Sequence, residues 1–164
     1  MRAFWTPTEQ RSISDDASFR PRSDDFDARV KASFDRQAFM KTLGARLVSV
    51  EPGRAVLEMP FDERLGQQHG FHHAGATTSV LDSACGYAAY SLMAPDKSVV
   101  TVEFKVNLLA PAKGERFRFE GQVVRPGRTL TVCEGRAFAI AGDAETLVAT
   151  MSATLMAIEA DEAD

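Results

Sequence analysis

The chain has only two cysteines in 164 residues, Cys85 and Cys133. That is too few for a disulfide scaffold, and their spacing carries no metal-binding or redox motif. Reduced thiols and a cytoplasmic location are the expectation. Excess positive charge is also missing: 19 Lys and Arg stand against 23 Asp and Glu, a formal charge of −4. Such a balance offers no basic surface for nucleic acid. The first residues lack the apolar core of a secretory signal, and Asp15 and Asp16 weigh against a transit peptide. The segment nearest in length to a membrane span, residues 74–94, carries Asp82 and many hydroxyls, which disfavour insertion. No internal repeat or second domain is visible. With 45% hydrophobic and 26% charged residues, the composition is that of one ordinary soluble domain with a real core.

The organising stretch runs over residues 67–94, QQHGFHHAGATTSVLDSACGYAAYSLMA. A loop rich in histidine and glycine leads into a proline-free run of mostly small residues, which Pro95 closes. This pattern predicts a helix that other backbone can approach closely. Leu81, Ala84, Ala88 and Leu92 form one stripe at helical spacing and should face a core. Asp82 lies beside Thr78, Cys85, Gly86 and Ala89, a small and weakly polar stripe suited to a close neighbour or a ligand. An acid in such a helix needs an explanation, because burying an unpaired charge is costly. A solvated edge, or local bonds from Thr78 or Ser79, is the plain alternative.

The start of this helix supplies donors. Its first N–H groups have no internal partner and sit at the positive end of the dipole, so an oxyanion is favoured near His73, Ala74 and Gly75. Asp82 lies eight residues beyond Ala74, about 12 Å along the axis. One carbonyl cannot touch both from a single chain. If they cooperate, two copies must lie antiparallel, each lending its helix start to the other's acid.

Residues 1–25 are polar and are expected to form a mobile arm, with residues 159–164 as an acidic tail. The recurrence of Val30, Phe34, Ala38 and Met40 predicts one helix from about Asp27 to Gly44. Strands are expected over 46–51 and 55–61, around a Glu51-Pro52-Gly53 turn. Beyond the central helix the chain alternates with period two. Val100, Val102, Phe104, Val106 and Leu108 are assigned to one face and Thr101, Glu103, Lys105 and Asn107 to the other. Phe117, Phe119, Gly121 and Val123 repeat the pattern, then Leu130, Val132, Phe138 and Ile140. Four such strands read as an antiparallel meander, half buried.

Gln67, the His73-Ala74-Gly75 turn and Asp82, with their spacing, resemble the pattern of PaaI-type hotdog-fold acyl-CoA thioesterases of phenylacetate degradation. The likeness extends through Thr101 and the 109–114 turn, over about residues 30–158, and the turn departs from the family's His-Gly-Gly by one methyl at Ala74. It implies an α+β hotdog fold, an antiparallel sheet wrapped around a long central helix, over residues 26–158. It implies hydrolysis of an acyl-CoA to a carboxylic acid and coenzyme A, with no cofactor. By this resemblance Asp82 is nucleophile or general base, Gln67 orients the nucleophile or the thioester, and His73 shapes the turn or bonds to the substrate, while the Ala74 and Gly75 amides polarise the carbonyl. Thr101 matches a hydroxyl beside the acid. The site would lie between two chains of a homodimer, itself able to pair into a tetramer, with Gln67 and the turn from one chain and Asp82 and Thr101 from the other.

Arg125 and Arg128 flank a turn and are candidates for the coenzyme A phosphates, although turn arginines are usually only solvated. His69, His72 and His73 form an H-x-x-H-H cluster, but three histidines on one short loop seldom converge and no carboxylate follows at ligand spacing, so no metal is expected. Two rival functions stand beside hydrolysis: a hotdog enoyl-CoA hydratase or 3-hydroxyacyl dehydratase, and a non-catalytic acyl-CoA-binding protein. Neither nucleic acid nor membrane is expected as a partner.

Overall fold

A computed structural model describes residues 19–160. Most of the expected arm and tail lies outside the described residues. Two short helices come first, α1 (Phe26–Arg36) and α2 (Ala38–Leu43). The single helix expected here is interrupted at Gln37, whose backbone is extended. In one unbroken helix Met40 would point about 240° around the axis from Phe34. The break re-aims it, so that Val30, Phe34, Met40 and Leu43 are all buried. Gly44 closes α2 with φ 68°, a conformation that favours glycine.

The strands are β1 (Arg46–Glu51), β2 (Arg54–Pro60), β3 (Lys97–Leu108), β4 (Arg116–Arg125), β5 (Leu130–Ala141) and β6 (Ala144–Glu159). They form one antiparallel sheet in the order β1-β2-β4-β5-β6-β3. This corrects the four-strand meander: only β4, β5 and β6 run in sequence, and β3 crosses to the far edge beside β6. The long helix α3 (Ala74–Tyr90) connects β2 to that edge and packs against the sheet. The architecture is α+β, an antiparallel sheet around a central helix.

Small residues on both surfaces let helix and sheet approach. Ala84, Cys85, Ala88 and Ala89 of α3 are fully buried, and Cys133, Ala137, Ala149 and Ala153 are buried on the strands. A Cβ on Gly121 would collide with the Ala84 carbonyl and lie 2.6 Å from the Cys85 nitrogen. The inner face of β5 is accordingly Thr131, Cys133, Ala137 and Ala139, whereas Leu130 and Val132, assigned to the repeating apolar face, are exposed. The helix ends at Tyr90, before the expected stop at Pro95. The buried Ser91 hydroxyl donates to the Ala88 carbonyl at 2.7 Å and accepts the Gly53 N–H at 2.8 Å, tying the last turn to the β1–β2 hairpin. Arg29 of α1 donates to the carbonyls of Met93, Ala94 and Lys97 and so ties α1 to the segment that joins α3 to β3. No helix among the described residues is long and apolar enough to cross a membrane.

Candidate active site

The acid stands on the middle of α3. Asp82 is half buried, and the Thr101 hydroxyl of β3 donates to its Oδ1 at 2.9 Å. The two influences oppose one another. Burial raises the Asp82 pKa above the ordinary carboxylate value, and the bond from Thr101 draws it back down.

A β-bulge makes this pair. The register of β3 against β6 shifts between Thr101 and Glu103. Thr101 therefore pairs with Leu155 on the inner face, together with Phe104, Val106 and Leu108, whose partners Ala153, Met151 and Ala149 are buried. Unbroken alternation placed Thr101 on the opposite face from those residues; the extra residue of the bulge corrects it. The cavity beside Asp82, about 240 Å³, also takes Ser33 and Gln37 from α1 and the α1–α2 junction, and Tyr87 from α3. Ser33 and Gln37 were not legible as neighbours of the acid, because nothing in local spacing records how α1 lies across α3.

The helix start faces a different cavity. His73 caps α3: its Nδ1 accepts the Gly75 N–H at 2.9 Å, leaving the proton of a neutral ring on Nε2. The two candidate amides are thereby divided. Gly75 is engaged by the cap, while the Ala74 N–H stands at the first helical position, where no intrahelical acceptor exists. The His73 N–H donates to the Leu65 carbonyl at 2.8 Å and the His72 N–H to the Ala112 carbonyl at 3.1 Å. These bonds pin the helix entry between the 62–72 loop and the 109–114 turn. Gln67 turns the loop: its Oε1 accepts the His69 N–H at 3.3 Å and its carbonyl accepts the Gly70 N–H at 3.1 Å. Gln67, His73 and Ala74 line a cavity of about 570 Å³ whose far walls are Leu109, Pro111 and Val148.

The single chain thus holds the candidate residues in two separate places, Gln67, His73 and Ala74 in one cavity and Asp82 with Thr101 in another. Arg128 joins Arg20, Arg22 and Lys97 around a third cavity of about 260 Å³ near the end of α3, and Arg125 is exposed on β4 outside its lining. The histidine cluster is split: His69 is exposed, His72 is buried between Phe61 and Phe117, and His73 is the helix cap. Among the described residues no three His, Cys, Asp or Glu side chains are grouped as a metal site. Thiol chemistry is remote as well. Cys85 and Cys133 are free and fully buried, and burial pushes the Cys133 pKa up to about 12.

Residues 69–145 match the family model of the thioesterase superfamily. A crystal structure of a thioesterase family protein from Silicibacter pomeroyi is 57% identical, covers 80% of this chain and 97% of its own, and superposes with a TM-score of 0.79. The chain belongs to the thioesterase superfamily. Among named relatives, acyl-coenzyme A thioesterase 13 of Homo sapiens is 29% identical over 105 residues, 62% of this chain and 73% of that protein. The E. coli PaaI protein from the phenylacetic acid degradation operon shares the fold, with a TM-score of 0.70 at 23% identity over 77% of this chain and 88% of its own. The sheet wrapped on α3 is therefore the hotdog fold, and the chain is a hydrolase acting on thioester bonds.

Proposed function

We propose that this protein hydrolyses acyl-CoA thioesters to a carboxylic acid and coenzyme A, at a site completed between two copies of the chain. The observation that carries the reading is the separation of the half-sites. The Ala74 N–H and the Asp82 carboxylate are eight residues apart on one helix, about 12 Å, too far for one thioester carbonyl to meet both. Two antiparallel copies of α3 bring the helix start of one to the acid of the other. The position of the acid favours this arrangement, since its partner Thr101 lies on β3, an edge strand. Relatives named for acyl-CoA and dihydroxynaphthoyl-CoA hydrolysis support the substrate class.

In this arrangement the thioester oxygen accepts from the Ala74 N–H of one chain, with His73 Nε2–H and the Gln67 amide beside it. Ionised Asp82 of the other chain attacks the carbonyl carbon, or takes a proton from the water that does so. The carbonyl oxygen gains negative charge as the tetrahedral intermediate forms, and the N–H and the positive end of the helix dipole stabilise it. Collapse breaks the carbon–sulfur bond and releases the coenzyme A thiolate, which takes up a proton. If Asp82 was the nucleophile, water then hydrolyses the mixed anhydride.

The test is thiol release from a panel of acyl-CoAs by wild type, Asp82→Asn and Ala74→Pro. Proline is well suited to the first helical position and follows naturally after extended His73, so Ala74→Pro removes the donor and keeps the helix. Both variants should fold and lose about 10²-fold or more in kcat. Turnover near the wild-type rate in Asp82→Asn sinks the assignment.

A further inference from the structure

At the far end of α3 three elements meet around the cavity of about 260 Å³. A Cβ added to Gly53 would stand 2.6 Å from the Phe19 ring and 3.5 Å from Leu92 Cδ1, so Phe19 packs over the β1–β2 turn beside Leu92. This docking carries Arg20 and Arg22 to the cavity. Arg128 reaches it from the β4–β5 turn. That turn is fixed in place: the Thr129 carbonyl accepts the Ala157 N–H of β6 at 2.8 Å, and a Cβ on Gly127 would collide with the Leu130 carbonyl.

Many arginines of this molecule are paired. Arg46 and Arg116 meet Glu58, Arg54 and Arg118 meet Glu120, and Arg64 meets Asp62. Arg20, Arg22 and Arg128 have no carboxylate partner among the described residues, and no carboxylate lines their cavity. Lys97, the fourth cation on its wall, is held by Asp96 and Glu159. Met93 and Ala94 also line the cavity, but their carbonyls are already taken by Arg29. A second group is unanswered. Thr131, on the inner face of β5, is 4% exposed and lines the cavity, and its hydroxyl has no hydrogen-bond partner among the described residues. Its oxygen is not among the fully enclosed unpartnered atoms, which are those of His72 and Thr77, so the access it keeps opens onto this space.

A nearly buried polar group without a partner calls for one from elsewhere. The planar fork of arginine matches the two oxygens of a carboxylate. The rest of the wall is apolar, with Phe19, Ala89, Leu92 and Ala157, which suits an anion with an apolar body better than a bare ion. The volume lies below the range of drug-sized sites, about 300–1,000 Å³, and favours a small acid over a nucleotide.

We propose that this cavity binds a small organic carboxylate. The alkyl or aryl body lies on Phe19, Leu92 and Ala157, the carboxylate meets Arg20, Arg22 and Arg128, and one of its oxygens accepts from the Thr131 hydroxyl. Ala89 on its wall is fifteen residues beyond Ala74, about 22 Å along the axis. The binding needs neither Asp82 nor the helix start, so it stands or falls separately from the thioesterase reading.

The experiment is an NMR titration of the full chain with hexanoate, its neutral isostere hexanamide, and acetate. Hexanoate should bind about ten-fold tighter than either, with shifts centred on Leu92, Arg128 and Thr131. Arg128→Gln and the double variant Arg20→Gln/Arg22→Gln should each weaken hexanoate about ten-fold or more. These arginines are exposed, so the substitutions keep the fold. Thr131→Val, nearly isosteric, should weaken it by a smaller factor. Ala74→Pro should leave the affinity unchanged. Equal affinity for hexanoate and hexanamide, or an affinity unmoved by the arginine substitutions, overturns the proposal. Loss of binding in Ala74→Pro overturns it too, by moving the acid to the cavity at the helix start. So does tighter binding of adenosine 3′,5′-bisphosphate that displaces hexanoate, which would make the arginines a subsite for the phosphorylated end of coenzyme A.

Discussion

Asp82 sits where folding disfavours its charge, and that fixes the sign of two measurements. Its folded pKa is raised above 3.8 by burial, so the folded chain holds the proton more tightly than the unfolded one. The group costs nothing below the ordinary carboxylate pKa, and stability falls as pH rises through the folded value. Asp82→Asn should therefore be at least as stable as wild type at neutral pH, with a flatter dependence above the ordinary carboxylate pKa, read by urea unfolding. On the proposed mechanism activity has the opposite sign, since the carboxylate would have to be ionised to act. The acidic limb of kcat/KM should have its midpoint above 3.8. Thr101→Val removes the bond that favours the charged form and should move that limb to higher pH. A threonine that only packed the strand would lower the melting temperature and leave the limb in place.

At the scale of elements, the fit of α3 to the sheet depends on the absence of Cβ atoms at two positions that differ in what they meet. At Gly121 an added Cβ runs into the backbone of Ala84 and Cys85, which cannot move without displacing the helix. At Gly135 it meets the ends of side chains, Leu81 Cδ1 at 2.8 Å and Cys85 Sγ at 2.9 Å. Gly121→Ala should lose more than about 2 kcal/mol, and Gly135→Ala less, because rotamer shifts relieve part of the overlap. Denaturant midpoints at unchanged slope order the two. Much of this element was legible in advance: a proline-free small-residue run beginning at Ala74, with Leu81, Ala84 and Ala88 buried, follows from periodicity. Its end did not, because Ser91 terminates the helix through a bond to Gly53, 38 residues away. The face of Thr101 was misread for a related reason. A period of two counts residues, and a bulge inserts one where composition leaves no mark. Strand order was likewise invisible, since β3 and β4 alternate in the same way whether or not they are neighbours. At the site, Gln67, the 73–75 turn and Asp82 stood out by resemblance and spacing. Ser33 and Gln37 did not, because contacts between α1 and α3 leave no trace in local spacing.

Taken whole, the chain ends its sheet on a strand that a solitary molecule would do better to protect. β3 is one of the two edge strands, and Val102 (52%), Phe104 (42%) and Leu108 (56%) are exposed along it. Unpaired edges bearing apolar side chains invite pairing with another strand. In the proposed dimer, a second copy joined there by two-fold symmetry would place each chain's contribution in both sites, since such an interface presents the same surface from either side. Composite sites have a consequence that self-contained ones lack. In a mixture of Asp82→Asn and Ala74→Pro chains, the mixed dimer has one site with both lesions and one with neither. The intact site takes its Ala74 from the Asp82→Asn chain and its Asp82 from the Ala74→Pro chain. Random reassociation after mild denaturation makes half of the dimers mixed, and half of their sites intact, so about a quarter of wild-type thiol release should return from two inactive parents. Chains that each carried a complete site would recover nothing, because every chain in the mixture is defective.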